Sequence, residues 1–510
     1  MRMRGASKQG LVVLALLLGI FVAAMDNTIV ATATGNIVAH LGGLEQIVWI
    51  TAAYMLTEMA GMPIFGKLSD MYGRKRFFMF GIAAFLIGSI LCGTAQNMTE
   101  LAICRAIQGI GGGALMPIAF TIIFDVVPPK EQGKFSGLFG AVFGMASIFG
   151  PLLGAYITQH WSWRIVFYIN VPIGVVAFLL ILFAYRESAR HGRQAIDWLG
   201  IFTLVPGVTA LTFALEFGGQ TYPWNSAPIL AGFAVAAVLL ALFFAVELRA
   251  KEPVVSLHLF RRRSFAVSNV AGILSGSAYI VAVVWVPIYV QGVRGGSPID
   301  AGLFLLPMMV GSSASAAVAG RFASRAPYRT VLLPFAIVFG AGIALLLGLR
   351  ADTPTWRVLL DMAVVGVGIG PFFSVTGMAA MGDLDAQNRG AGSSTNSFVR
   401  ELGMTVGIVI YGAIQKHAFA HQVAEAFQGV PQARAFSHMD PRAIMSPETR
   451  DHMPGFVLQK LTDALNQSIH SAFLWDLVPC VLTVVAVWMF GTSRFRAPAW
   501  SNARGGETVE

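Results

Sequence analysis

The sequence predicts an all-α, polytopic membrane protein with fourteen transmembrane helices. Of its 510 residues 56% are hydrophobic and only 12% charged, a balance that an ordinary soluble domain does not have. Apolar windows of about 20 residues recur from end to end, the length a helix needs to cross hydrocarbon and about twice that of a barrel strand. Lys and Arg gather in alternate short connections, so the net charge of +9 reports topology and not nucleic-acid binding.

Breaking the apolar windows at charged, Pro/Gly and turn-like clusters gives spans near 11–34, 47–66, 77–95, 99–124, 134–158, 164–185, 196–216, 228–247, 265–290, 299–320, 330–349, 357–380, 393–415 and 468–491. The first follows a basic leader (Arg2, Arg4, Lys8) like that of a signal peptide. It runs on past Asp26 to about Thr34 without a small-residue cleavage site, and so counts as a span. The Lys/Arg asymmetry places both termini on the cytoplasmic side. The basic runs "YRESARHGRQ" and "ELRAKEPVVSLHLFRRRS" enclose spans seven and eight.

The expected organisation is therefore 6+2+6: a six-helix half over 1–185, a two-helix insert with cytoplasmic linkers over 186–264, a second six-helix half over 265–491, and a cytoplasmic tail over 492–510. An extracellular segment, 416–466, interrupts the second half. Within it the apolar stretch Phe456 to Leu465 reads as a small surface helix or hairpin. The segments 128–154 and 385–412 share a polar turn followed by a small-residue-rich span. Aligning Gly133 with Gly390 also aligns Gly150 with Gly407, the mark of duplicated halves.

The sharpest motif is "GKLSDMYGRKRFF", 66–78, joining spans two and three. Gly66 and Gly73 permit close approach and a tight turn, Asp70 suits a cation or a helix N-terminus, and Arg74, Lys75 and Arg76 hold the loop at the cytoplasmic face. The ordered string G-x-L-x-D-x-x-G-R-K resembles the loop signature of the major facilitator superfamily. "RAIQGIGGGALMP" (105–117) is similar to that superfamily's fourth-span motif and "GMASIFGPLLGAY" (144–156) to the fifth-span motif marking antiporters. "MDNTIVATA" and "HWSWRIVFYINVPIG" (160–174) resemble the fourteen-span drug:proton antiporters, the QacA/EmrB-like multidrug efflux transporters. The usual Asn and Pro of the first-span motif appear here as Ala31 and Gly35, and Gln132 stands where an Arg is common. The resemblance covers about residues 10 to 415. It implies a major facilitator fold with two six-helix halves around a central cavity.

Apart from any family, Gly133, Gly137, Gly140, Gly144, Ser147, Pro151 and Gly154 follow 4-3-4-3-4-3 spacing, which lines one face of span five with small residues. Gly144, Gly150, Pro151 and Gly154 form the expected seam, with a kink at Pro151. The run "GSSASAAVAG" (311–320) of span ten offers a partner face.

An ionisable group at the bilayer centre costs at least about 2.5 to 3.5 kcal/mol, so each needs a reason. Asp26 lies about 12 Å from the outer end of its span and Arg105 about 9 Å from the same surface. Opposite charges at matched depth reduce each other's cost by pairing. A carboxylate that trades its arginine for a proton as the bundle rocks is a proton carrier, and Asp26 with Arg105 is the first candidate. Glu58, about 16 Å deep in span two, suits either a proton or a cationic substrate. Arg400 and Glu401 are adjacent on span thirteen and project about 100° apart, so they do not pair face to face; one snorkels, and Glu401 is a second candidate carboxylate. Asp197, Glu216, Asp361 and Asp476 lie near enough to span ends to be solvated.

All nine histidines fall in loops or near span ends without metal-ligand spacing, and Cys92, Cys104 and Cys480 sit apart in apolar segments as inert packing. Neither a metal nor a cofactor is expected, which argues against a membrane-embedded enzyme. The 37 Phe and 21 Met fit a soft apolar cavity. Together these features point to a proton-coupled antiporter of the cytoplasmic membrane. It would export small amphipathic compounds, cationic or aromatic, by alternating access, with the lipid bilayer and protons as its other partners. Export of an endogenous lipid or siderophore-like metabolite is the alternative within the same fold.

Overall fold

The computed structural model describes residues 2–42, 46–187, 197–219, 221–250, 253–255, 257–427 and 453–494. Helices succeed one another along the chain as α1 (Arg2–Leu41), α2 (Trp49–Tyr72), α3 (Arg74–Thr94), α4 (Met98–Val126), α5 (Pro129–His160), α6 (Ile165–Tyr168), α7 (Asn170–Ala184), α8 (Trp198–Phe217), α9 (Ala227–Glu247), α10 (Arg263–Ile288), α11 (Pro298–Ala323), α12 (Tyr328–Leu346), α13 (Thr355–Gly382), α14 (Arg389–Ala426) and α15 (Gly455–Trp488). Only Ile169 separates α6 from α7, and together they make one rod, so the described residues form fourteen. Twelve of these, among the described residues, are long and apolar enough to cross a membrane. The other two are α2, which carries Glu58, Lys67 and Asp70, and the glycine-rich α5. Both are inner helices: α2 lies against α4, α8 and α14, and α5 between α1 and α11.

Local chemistry sets the helix ends. Gly73 alone separates α2 from α3 at φ +114°, a backbone region closed to most L-residues. α4 starts at Asn97, whose side chain accepts the Glu100 N–H, and α11 starts in a Ser297/Asp300 capping box with Pro298 at its first position.

Glycines set the closest helix pairs. A Cβ at Gly150 or Gly154 would run into Thr28 or Thr32, so these residues press α5 onto α1. In the second half, Gly403 and Gly407 press α14 onto Ile273 and Ser277 of α10. The aligned glycines Gly150 and Gly407 thus do the same work on the same kind of neighbour. The expected partner face for α5 is only partly met: α5 does pack on α11, but Gly150 and Gly154 point to α1. The small residues of α11 are taken up by α13, where a Cβ on Gly366 or Gly370 would strike the Met308 or Ser312 carbonyl. Gly144, with Gly133, Gly137, Gly140 and Ser147, lies outside the described residues in all but its helical backbone. α5 remains helical through Pro151.

α8 and α9 pair with each other, and α8 packs on the bundle, touching α2 and α14 through Leu204 and Val208 beside Met59 and Ala60. The segment expected to form a separate surface helix does not. α14 continues to Ala426, and Phe456 to Leu465 is the first part of α15. Gln415, Phe419, Val423 and Phe427 recur every four residues and bury against Val457, Leu461, Leu465 and Ser468, so the apolar stripe carries both helices beyond the hydrocarbon. Residues 428–452 of the expected external segment lie outside the described residues.

Candidate functional site

α2 and α4 touch closely enough to fix the site between them. Gly109 and Gly113 of α4 lie against the Tyr54 and Glu58 carbonyls of α2, with no room for a Cβ, and Thr57 donates to the Ala106 carbonyl at 2.8 Å. Arg105, one turn before Gly109, reaches the Ile50 carbonyl of α2 with Nε and directs Nη1 toward α1. There it pairs with Asp26, both side chains having 0% exposure. The residues that depth alone had matched therefore meet.

The pair sits in a network of other polar groups. Gln108 and Asn170 each donate to Asp26 Oδ1 at 2.8 Å, while Arg105 donates through Nε to the Ile50 carbonyl at 2.9 Å and through Nη1 to Gln108 Oε1 at 2.7 Å. Asn170 also donates to Ser89 Oγ at 3.0 Å, and Ser89 to the Phe167 carbonyl. The guanidinium lies 4.4 Å from the Tyr54 ring centre, a distance at which the ring face attracts a cation. Cys92 makes a weak contact to Gln108 Oε1 at 3.7 Å, which places it at the edge of this network. Charge-assisted hydrogen bonds of this kind are the strong ones, and Asp26 is held by three donors from two other helices.

Glu58 faces the interior beside this cluster. A Cβ at Gly112 would run into the Tyr54 hydroxyl and stand 3.5 Å from Glu58 Oε1, so the two groups lie side by side against this glycine. Glu401 of α14, Arg105 and Asp26 are within electrostatic reach of Glu58, yet no cation stands within 4 Å of it among the described residues. Arg400 does not snorkel: it is buried, 5.3 Å from the Phe373 ring centre and 3.7 Å from Met116 Sδ, with the neighbouring Glu401 as its counter-charge. Thr405 lies 3.8 Å from Met59 Sδ. The middle of the bundle thus joins two carboxylates, from α2 and α14, to Tyr54 and Met59 of α2, Met116 of α4 and Phe373 of α13.

At the basic end of the bundle the loop signature closes the two halves on each other. Asp70 binds Arg74 at 3.0 Å on its own side and accepts the Ala391 N–H of α14 at 2.9 Å, so it takes up a cation and a helix N-terminus at once. Arg74 also pairs with Asp125, which in turn faces Arg389 of α14 at 3.7 Å. Below them Gly66 and Gly390 let α2 and α14 touch backbone to backbone. Gly73 leaves space for Glu187, which accepts the Arg74 N–H. Toward the opposite end, Thr32, Asn36, Leu152, Gln159, Gln291 and Leu303 line a cavity of about 500 Å³ between α1, α5, α11 and the turn that follows α10.

Reading the sequence missed four participants. Gln108 shares a helix face with Arg105 three residues on, a spacing that points to it. Asn170 is a lone amide in the apolar run "FYINVPIG". Asp125 and Arg389 carried no signal, because their pairing depends on how the halves meet.

The chain matches the Major Facilitator Superfamily over residues 16–408. It is 49% identical over 492 residues to Multidrug resistance protein 3 of Bacillus subtilis (strain 168), covering 96% of each chain. With the multidrug transporter protein MdtP of the same organism it is 34% identical over 492 residues, covering 92% of this chain and 91% of that one. The structure superposes on the human organic anion transporter MFSD10 with a TM-score of 0.61 at 14% identity, covering 94% of this chain and 99% of the other. Fold, sequence match and full-length relatives agree: the chain belongs to the Major Facilitator Superfamily.

Proposed function

We propose that this chain exports amphipathic compounds, cationic or aromatic, across the cytoplasmic membrane in exchange for protons, by alternating the access of one central site. Both termini and the basic end then face the cytoplasm. The observation that carries this reading is the fully buried Asp26, paired with Arg105 and bonded by Gln108 and Asn170. The printed names of the two Bacillus subtilis relatives support drugs as the substrate class.

The geometry gives the exchange a route. With Asp26 ionised, Arg105 is neutralised at α1. A proton arriving at Asp26 removes that counter-charge and leaves Arg105 within electrostatic reach of Glu58. A substrate cation bound at Glu58, with Glu401 as the second carboxylate, then faces a competing guanidinium. Proton loading and cation binding thus exclude one another, as an exchanger requires. The closed basic end and the cavity at the other end favour one access at a time. Each proton moving inward supplies about 2.3 kcal/mol per 100 mV, enough for about a fiftyfold gradient of a neutral solute.

The test is reconstitution of the full chain in liposomes with an imposed pH gradient and a panel of lipophilic cations and neutral amphiphiles. Uptake that follows the gradient is expected; uptake indifferent to it overturns the proposal.

A further inference from the structure

Asp476, expected near a span end and solvated, is instead fully buried at 0% exposure on α15. It lies twelve residues from the Trp488 end, about 18 Å along the helix. In the other direction His470, which meets the Leu349 carbonyl at 2.6 Å, marks the far end six residues away, about 9 Å. α10, α12 and α14 pack around α15. Among the described residues neither carboxylate oxygen has a hydrogen bond of full geometry, and the contact the group does make is to a neutral phenol. The group that faces Asp476 from α14 is the Tyr411 phenol, and on its own helix Cys480 is the nearest titratable neighbour. From α10, Trp285 stands edge-on to Tyr411, its indole N–H without a partner among the described residues, and from α12 Gly340 backs onto Cys480. No cation faces the carboxyl among the described residues.

A buried carboxylate with no cation beside it and only a neutral phenol facing it is not sustained at this depth; such a group keeps its proton instead. We propose that Asp476 is a second proton-binding site, separate from Asp26 and housed in the second half of the bundle. The carboxyl is neutral in this conformation. It gives its proton to water only when α14 moves away from α15 and the carboxyl is hydrated. α14 is suited to bring this about, because the same helix carries Arg400 and Glu401 into the centre and is held at the basic end by Asp70. The release step rests on the exchange reading above; proton binding itself does not.

Two measurements on the full chain in lipid discs test this. In infrared spectra the wild type should show a protonated-acid carbonyl band that shifts in Asp476→Glu and Tyr411→Phe and is missing from Asp476→Asn. Spectra of wild type and Asp476→Asn that coincide in this band overturn the proposal. In weakly buffered solution, substrate addition to Asp476→Asn should release one proton fewer than in the wild type, with Asp26→Asn also reducing the release. Release from Asp476→Asn equal to wild type, while Asp26→Asn is diminished, overturns the second site and leaves exchange standing. A wild type that moves substrate with no proton release overturns both. Asn replaces a neutral acid with a neutral group of the same shape, so it should fold; if it does not, Tyr411→Phe carries the infrared test.

Discussion

The Asp70 carboxylate of the first half accepts the Ala391 backbone N–H of the second half at 2.9 Å, directly above the point where Gly66 and Gly390 touch. A helix N-terminus offers partial positive charge and unpaired donors, so this carboxylate latches α14 to α2. A Cβ at Gly390 would stand 2.6 Å from Asp70 Oδ1, with no flexible group to yield on the backbone side. Gly390→Ala should therefore shift the resting population toward an open basic end. Spin labels placed at the basic ends of α4 and α13 should report a longer mean distance, and a distribution matching the wild type would refute the latch. Asp70→Asn keeps one acceptor and should open the end less.

Removing one partner from a buried ion pair leaves the other uncompensated, at about 3–5 kcal/mol. Arg105→Ala should lower stability by that order, because Asp26 keeps only Gln108 and Asn170. Asp26→Ala should do the same, whereas the double variant should cost clearly less than the sum, since no charge remains stranded. Thermal unfolding in detergent measures the cycle. Additive losses would mean that the two groups do not depend on each other. Asp26→Asn retains an acceptor for Arg105 and should fold normally while abolishing gradient-driven transport; normal coupled transport in that variant would move the coupling elsewhere, with Glu58 next.

Much of this site was legible because helix geometry is regular. Asp70 and Arg74 are one turn apart, and depth counted from span ends brought Asp26 and Arg105 to the same level. The alignment of Gly150 with Gly407 was read only as a mark of duplication, and in the structure each of these glycines presses its helix onto a neighbour. Hydropathy windows failed where helices outrun the hydrocarbon. The window for the last span began at residue 468, yet α15 begins at Gly455, carried outward by an apolar stripe among polar residues. Which residues of α15 are deep is therefore set by its packing on α14 and α12, and Asp476 was misplaced. Asp361 was also expected to be solvated but is 3% exposed, with Arg357 of its own helix 4.0 Å away. Asn170 and Arg389 needed the tertiary arrangement itself.

Glu58 and Glu401 sit where a cation would be neutralised, so their charge should matter to charged substrates only. Glu58→Gln should weaken binding of a lipophilic monovalent cation about tenfold, equivalent to about 1.4 kcal/mol, and leave a neutral aromatic amphiphile within about twofold. Glu401→Gln should have a smaller effect, because Arg400 already offsets part of that charge. Binding can be followed by tryptophan quenching of the purified protein. Equal losses for the cation and the neutral compound would show that Glu58 shapes the cavity without reading charge.

Gly73 offers a test of how the loop signature holds its fold. At φ +114° and ψ 128° a residue with a Cβ is strained by about 1–3 kcal/mol. That Cβ would also stand 2.6 Å from Glu187 Oε2, displacing the carboxylate that accepts the Arg74 N–H at the start of α3. Gly73→Ala should lower the unfolding temperature through both effects. Glu187→Ala in the same chain relieves the collision but not the backbone strain, so the double variant should recover only part of the loss. Full recovery would assign the cost to the collision alone, and none would assign it to the backbone. Gly73→Ala as stable as wild type would mean that α2 and α3 can join without the glycine conformation.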